Sequence, residues 1–95
     1  MDDILIPAAV LSKLRHKHNV SRIEVLECFE NRSGILLIDD REEHRRDPPT
    51  LWFIAETSTG RKLKIVFQAK HGKLHVITAY EPNEIEMRIY VAKGK

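Results

Sequence analysis

The chain has 95 residues and a mass of 11.0 kDa, which is enough for one small domain and too few for two. Its 42% hydrophobic and 32% charged residues, with 4 Gly and 4 Pro, are typical of a globular protein and exclude a disordered or fibrous chain. The net charge of +2 is too small to indicate a nucleic-acid-binding protein by itself.

The charge is unevenly distributed along the chain. Residues 1–47 carry eight basic and ten acidic side chains, whereas residues 48–95 carry eight basic and four acidic ones. We therefore expect an anionic partner to be attracted to the second half. No apolar run approaches the roughly 18–20 residues that cross a bilayer, and the acidic N-terminus is unlike a secretory signal, so a cytoplasmic protein is predicted. The single Cys28 excludes an intramolecular disulfide.

Two short helices are predicted at the N-terminal end. Apolar residues recur at helical spacing over residues 7–16, and Pro7 lies in the first turn, where its missing N–H costs nothing. Ser21 and Glu24 have the spacing of a capping box and predict a second helix over residues 22–30. A basic cluster lies at the end of the first helix and just beyond it: Lys13, Arg15, His16, Lys17 and His18.

The remainder of the chain is predicted to form mainly strands. The apolar run over residues 35–38 is a possible strand, and the charged segment over residues 39–49 is predicted to be an exposed loop. Aromatic and β-branched residues then predict three strands joined by short turns, over residues 51–57, 61–68 and 73–80.

A last helix is predicted over residues 82–91, with Ile85 and Ile89 on its buried face. The expected fold is therefore α+β: N-terminal helices packed on a three- to four-stranded antiparallel sheet, followed by a C-terminal helix, in a single domain spanning residues 1–95.

The second predicted strand has one apolar face and one face that carries Lys62 and Lys64. If Gln68 lies opposite Lys73, His75 joins these two lysines on an open face of the sheet. Arg61 starts the second predicted strand and Tyr80 ends the third. With this register, we expect both residues to border the same surface.

Such a surface could bind RNA, because cations contact phosphates, an aromatic ring stacks on bases and His75 can transfer a proton. Cleavage of RNA through its 2′-hydroxyl requires a base, an acid and positive charge, and no metal. The simpler alternative is that Lys62 and Lys64 only solvate an exposed face.

The last helix and the charged loop contribute further candidates. Glu84 and Arg88 have the i,i+4 spacing of an ordinary surface ion pair; alternatively Glu86 or Glu84 is a base and Arg88 clamps a phosphate. Arg45, in the charged loop, is a candidate RNA contact, although solvation is the simpler interpretation. The five histidines lack a His-Glu-x-x-His spacing, so no metal and no cofactor are predicted.

Two short phrases resemble those of BrnT-type toxins, which belong to the RelE/ParE-like group. Residues 17–21, Lys-His-Asn-Val-Ser, match a Lys-His-Gly-(hydrophobic)-Ser phrase between two helices, with Asn in place of Gly. Residues 77–80, Ile-Thr-Ala-Tyr, match an Ile-Ser-Ala-Arg strand end, and Glu86 and Tyr90 fall at the family's positions in the last helix. The resemblance spans most of the chain except residues 39–49.

The resemblance implies a RelE-like arrangement of the helices and the sheet. It also implies that the chain is the toxin of a type II toxin–antitoxin pair, an endoribonuclease that cleaves mRNA without a metal, either on the ribosome or free. It implies a cognate antitoxin as partner, and it gives Arg61, Lys62 and Lys64 the roles of binding phosphate and stabilising the transition state. One departure is that Tyr80 replaces the family's Arg; Arg88 could substitute for that Arg, and Tyr80 could stack on a base.

Arg61, Lys62 and Lys64 are therefore expected to bind phosphate, and Arg88 to support them. His75 or Glu86 is expected to transfer the proton. The alternative function is a non-catalytic module that binds protein or RNA through the same face. No motif supports a small-molecule hydrolase.

Overall fold

A computed structural model describes residues 3–39 and 48–93 of the chain. Within these residues, no helix combines the length and the apolar character that crossing a bilayer requires. The elements, in chain order, are β1 (Ile4–Leu5), α1 (Ala8–His18), α2 (Arg22–Asn31), β2 (Leu37–Ile38), β3 (Thr50–Glu56), β4 (Lys62–Lys70), β5 (Lys73–Tyr80) and α3 (Glu84–Lys93).

The fold is α+β, as predicted, but the sheet has five strands and is mixed. Its order is β1-β5-β4-β3-β2, and β1 pairs with β5 in parallel while the other neighbours are antiparallel. The expected antiparallel sheet of three or four strands is therefore wrong. The missed strand, β1, has only two residues, so its pairing partner defines it and no periodicity can reveal it.

The register between β4 and β5 also differs from the prediction. His71 and Gly72 both have positive φ, 55° and 74°, which is the conformation of a two-residue hairpin turn. This tight turn pairs Lys70 with Lys73 and extends β4 by two residues beyond its predicted end. A bulge between Val66 and Phe67 shifts the pairing further.

Helices α1 and α2 cover one face of the sheet. Phe29 of α2 makes edge contacts with Phe53 and Phe67, with ring centroids 5.1 Å and 5.4 Å apart. Cys28 is fully buried, and its Sγ donates to the carbonyl oxygen of Ala55 at 3.6 Å. Burial, followed by the nearby glutamates, raises the pKa of the Cys28 thiol to about 12, so this cysteine is a packing residue.

Helix α3 covers part of the opposite face, where an exposed surface was expected. Tyr90 is buried against Trp52, with ring centroids 5.9 Å apart, and Lys64 is only 8% exposed. The prediction that Lys64 lies on an open, solvent-exposed face of the sheet is therefore wrong, because α3 packs on that face. The predicted buried face of α3 is also wrong: Ile85 and Ile89 are 66% and 40% exposed.

The capping box of α2 is confirmed. The Ser21 Oγ accepts from the Glu24 N–H at 3.2 Å, and the Glu24 Oε1 accepts from the Ser21 N–H at 3.0 Å. Val20 and Val25, on either side of this cap, are both buried and fix the entry of the chain into the helix. Local spacing thus predicts this element correctly, because every contact that defines it lies within one turn.

Candidate functional site

An open depression lies where the end of α1 meets the ends of β4 and β5. It has a volume of about 470 Å³ and is lined by His18, Asn19, Arg61, Tyr80 and Glu81. The residue types include an imidazole, a guanidinium, a phenol and a carboxylate, so the depression combines proton-transfer groups with charge.

The turn after α1 presents two backbone carbonyls to this depression. Asn19 ends the helix in the left-handed conformation, with φ 53° and ψ 44°, which asparagine tolerates better than most residues. The Val20 N–H then bonds to the Leu14 carbonyl at 3.0 Å. As a result the carbonyls of His18 and Asn19 accept hydrogen bonds from the Arg61 side chain, at 3.0 Å and 2.7 Å.

Arg61 connects this turn to two carboxylates. Its Nη1 lies 3.1 Å from both Glu24 oxygens, and its Nε lies 2.7 Å from the Glu81 Oε2. The hydrogen bond to Glu81, followed by those to Glu24, raises the pKa of Arg61 above its ordinary value despite partial burial. Burial would raise the pKa of Glu24, but hydrogen bonds from the Ser21 backbone and from Arg61 outweigh it and lower that pKa.

A second cluster lies behind Tyr80. The Glu86 Oε2 accepts from the Lys64 Nζ at 2.8 Å and from the Tyr80 hydroxyl at 2.9 Å. The Lys64 Nζ also lies over two aromatic rings, 4.5 Å from the Trp52 centroid and 5.6 Å from that of Tyr80. The ammonium group is therefore held by one carboxylate and two rings.

Glu86 is oriented by the start of α3. Its Oε1 accepts from the Asn83 N–H at 3.0 Å, and its own N–H donates to the Asn83 Oδ1 at 2.8 Å. Burial alone would raise the pKa of Glu86, but the hydrogen bonds from Lys64, the Asn83 backbone and Tyr80 lower it. Burial, together with the hydrogen bond to Glu86, raises the pKa of Tyr80 despite the nearby Lys64, so the phenol stays protonated at neutral pH.

The rings of His18 and Tyr80 join the two clusters. Their centroids are 5.6 Å apart with an interplanar angle of 43°. Tyr80 thus faces the open depression on one side and contacts the Lys64–Glu86 pair on the other. The His18 imidazole therefore lies beside the Tyr80 ring, and the hydrogen bond from the Tyr80 hydroxyl to Glu86 fixes the position of that ring.

The expected convergence of Lys62, Lys64 and His75 is wrong. His75 pairs with Gln68 in the observed register, four residues along β4 from Lys64, which corresponds to roughly 13 Å. Lys62 is exposed at the start of β4, opposite Glu56. Among the residues that the structure describes, the buried Nε2 atom of His75 has no hydrogen-bond partner.

The remaining predicted residues are also separated. Arg88 points away from the sheet: its side chain is 81% exposed and lies 3.9 Å from Glu84, the simple i,i+4 pair. Arg45 lies outside the described residues. Of the predicted site residues, the structure brings Lys64, Tyr80 and Glu86 together, with Arg61 at the other side of Tyr80.

Several residues of the site were not singled out from the sequence. His18 lies inside the Lys-His-Asn-Val-Ser phrase, which therefore carried a signal for it. Glu24 was predicted as a cap but not as a partner of Arg61, and Trp52 and Glu81 had no signal, because these contacts join distant parts of the chain.

Within residues 3–39 and 48–93, no three side chains of the metal-ligating types come together in a way that could hold an ion. No known protein-family model matches the chain, and no curated protein matches its sequence.

Proposed function

We propose that the protein is a metal-independent endoribonuclease of the cytoplasm, the toxin of a type II toxin–antitoxin pair that cleaves mRNA. The observation that carries the proposal is the placement of the His18 ring 5.6 Å from the Tyr80 ring, in a depression that Arg61 also lines. RNA cleavage of this kind needs a base, positive charge near the phosphate and an acid for the leaving oxygen, and the proposal assigns the last role to water. The imidazole, the guanidinium and an aromatic ring on which a nucleobase can stack are adjacent here.

The proposed reaction is attack of a ribose 2′-oxygen on the neighbouring phosphorus. A ring nitrogen of His18 takes the 2′-hydroxyl proton. The new bond between the 2′-oxygen and phosphorus forms as the bond between phosphorus and the 5′-oxygen breaks, and the leaving 5′-oxygen takes a proton from water. The products are a 2′,3′-cyclic phosphate and a 5′-hydroxyl, so no oxidant, metal or cofactor enters the balance.

The other residues have supporting roles in this proposal. Tyr80 stacks on a nucleobase, and the Lys64–Glu86 pair keeps the phenol in place from behind. Arg61 supplies positive charge at the phosphate, as the resemblance implied. The exposed Lys17 and Arg22, close to the turn between α1 and α2, contact neighbouring phosphates. His75 and Arg88 have no role in the reaction, because the fold places them elsewhere.

The proposed antitoxin contact is an apolar groove between α3 and the edge strand β2. The groove has a volume of about 550 Å³, and its lining includes Ile38, Ile89 and the Lys64–Glu86 pair. Ile38 is 59% exposed on a strand at the end of the sheet, so an extended segment of the antitoxin can pair with β2 and bury it. Charged residues of both signs, Asp39 and Lys93, also line this groove.

A matched pair of substitutions tests this contact. Ile38→Asp is expected to weaken binding of the antitoxin encoded by the adjacent gene, because it places a charge in the apolar groove. Ile23→Asp is the control, since Ile23 is 67% exposed on α2, which packs on the other face of the sheet. Equal affinity of the two variants for the antitoxin would contradict the placement.

The function itself is tested by expression and by RNA cleavage. We expect the wild-type protein to arrest growth, co-expression of the adjacent gene to restore it, and the purified protein to cleave single-stranded RNA in the presence of EDTA. A parallel reaction with added ribosomes determines whether cleavage depends on them. Harmless expression together with intact RNA in both reactions would contradict the proposal.

A second candidate is a non-catalytic module that binds RNA or protein through the same depression. It is favoured by one observation: the charges of Arg61 and Lys64 are already paired with carboxylates of the chain. This function predicts RNA binding that weakens steeply with salt and is not accompanied by cleavage. The same purified protein and the same RNA therefore distinguish the two candidates.

A further inference from the structure

The guanidinium of Arg61 has two kinds of partner. The Glu24 carboxylate and the carbonyls of His18 and Asn19 belong to the ends of two helices and are held by those helices. Glu81 follows β5, and its side chain is 64% exposed. Of these acceptors, Glu81 is the one that can leave without disturbing a helix.

The donors of Arg61 are not all used. A guanidinium has five N–H groups. Among the described residues, Nη1 donates to Asn19 and Glu24, Nη2 donates to the His18 carbonyl and Nε donates to Glu81. One N–H of Nη2 is thus left without an acceptor in this part of the chain. If Glu81 moves away, Nε and Nη2 offer two donors from one guanidinium.

We propose that Glu81 occupies a phosphate site: the Nε and Nη2 groups of Arg61 bind a phosphate of the RNA, and the Glu81 carboxylate competes with it. A carboxylate and a phosphate both present paired oxygens to a guanidinium, so one can replace the other. The depression opens beside both residues and has room for the incoming group. This inference rests on the proposed ribonuclease function for the identity of the phosphate.

The competition makes Glu81 an internal inhibitor of RNA binding. The Arg61–Glu81 ion pair is exposed on the Glu81 side, and exposed ion pairs are weak, so a phosphate can displace the carboxylate. Removing the charge of Glu81 is expected to tighten binding by roughly twofold to fivefold, the range that corresponds to an exposed pair. The tightening is expected to be largest at low salt.

The test compares Glu81→Gln with Glu84→Gln. Both substitutions remove one negative charge near the start of α3, but Glu84 is 91% exposed and its ion pair is with Arg88. Inorganic phosphate is titrated while the Arg61 Nε–H resonance is followed by NMR, and a short single-stranded RNA is titrated by fluorescence anisotropy. Glu81→Gln is expected to lower both dissociation constants relative to Glu84→Gln, which serves as the control for net charge.

Equal effects of the two substitutions on both ligands, or an Arg61 Nε–H resonance in Glu81→Gln that phosphate does not move, would overturn the inference. Its failure is distinguishable from failure of the proposed function. Phosphate binding at Arg61 without RNA cleavage supports the phosphate site and contradicts the ribonuclease. RNA cleavage without a response of the Arg61 resonance to phosphate supports the ribonuclease and contradicts the phosphate site.

Discussion

At the scale of single residues, Lys64 is the side chain whose environment most shapes the site. Its side chain is 10% exposed, and burying an ammonium is costly unless opposite charge and hydrogen bonds compensate. Glu86 supplies the charge, and the rings of Trp52 and Tyr80 supply favourable contacts. Lys64 is therefore a structural cation that fixes Tyr80.

Replacing Lys64 tests this role. Lys64→Met is expected to lower the free energy of unfolding by about 1–3 kcal/mol, because it leaves the partly buried Glu86 carboxylate without its charged donor. Lys62→Met is the control, since Lys62 is exposed two residues earlier on the same strand, and its change is expected to stay within about 0.5 kcal/mol. Urea unfolding measures both. Equal losses in the two variants would show that Lys64 has no special role.

The lowered pKa of Glu86 predicts that the free energy of unfolding depends on pH. Its pKa is lower in the folded protein than the ordinary value of 4.5, so folding favours the ionised carboxylate. The stabilisation is present above pH about 4.5 and is lost as pH falls through the lowered pKa. Glu86→Gln is therefore expected to lose less stability than the wild type between pH about 5 and 3.

Urea unfolding at a series of pH values checks this slope. Glu84→Gln supplies the effect of removing an exposed carboxylate from the same helix, since the Glu84 side chain is 91% exposed. Glu24, whose pKa is also lowered, keeps its contribution in both variants. If the Glu86→Gln curve runs parallel to the wild-type curve through the acid range, the pairing with Lys64 does not stabilise the fold.

At the scale of elements, helix caps connect the fold to the site. Glu24 completes the capping box of α2 and also binds Arg61. Glu86 forms the corresponding pair of hydrogen bonds with Asn83 at the start of α3 and also binds Lys64. Each cap therefore holds a carboxylate in a fixed direction. One carboxylate fixes Arg61 in the depression, and the other fixes Lys64 behind Tyr80.

The cap of α2 can be removed by one substitution. Ser21→Ala is expected to cost about 1 kcal/mol, because the Glu24 N–H loses its acceptor. Ser12→Ala, at an exposed position inside α1, is expected to be neutral or slightly stabilising, since alanine favours a helix. Thermal unfolding of the two variants measures the difference. A loss for Ser12→Ala as large as that for Ser21→Ala would contradict the capping role.

The helices and strands also show which parts of the fold could be predicted from the sequence. The α2 cap and the positions of the three long strands depend on neighbouring residues, so spacing revealed them. The buried face of α3 depends on the packing of Tyr90 against Trp52, which is distant along the chain. The prediction placed Ile85 on the buried face because it is apolar, but Ile85 is exposed. Periodicity therefore identified the helix but assigned it the wrong face.

At the scale of the whole molecule, the site joins elements from both halves of the chain. Arg61 and Tyr80 come from the basic second half, whereas His18 and Glu24 come from the acidic first half. The expectation that positive charge would form an open cationic surface was wrong for Lys64 and His75. A register error of two residues and one helix packed on the sheet account for it, and neither is visible in local sequence.

The central claim is that His18 transfers a proton during RNA cleavage in this depression. The most direct measurement is the rate of cleavage of a single-stranded RNA, with EDTA present, by the wild type, His18→Gln and His16→Gln. His16 is an exposed histidine two residues earlier on α1, so it controls for the loss of an imidazole. We predict a rate roughly 10²- to 10⁴-fold lower for His18→Gln and a rate within about twofold of wild type for His16→Gln. Equal rates for the two variants, or intact RNA with the wild type, would contradict the account.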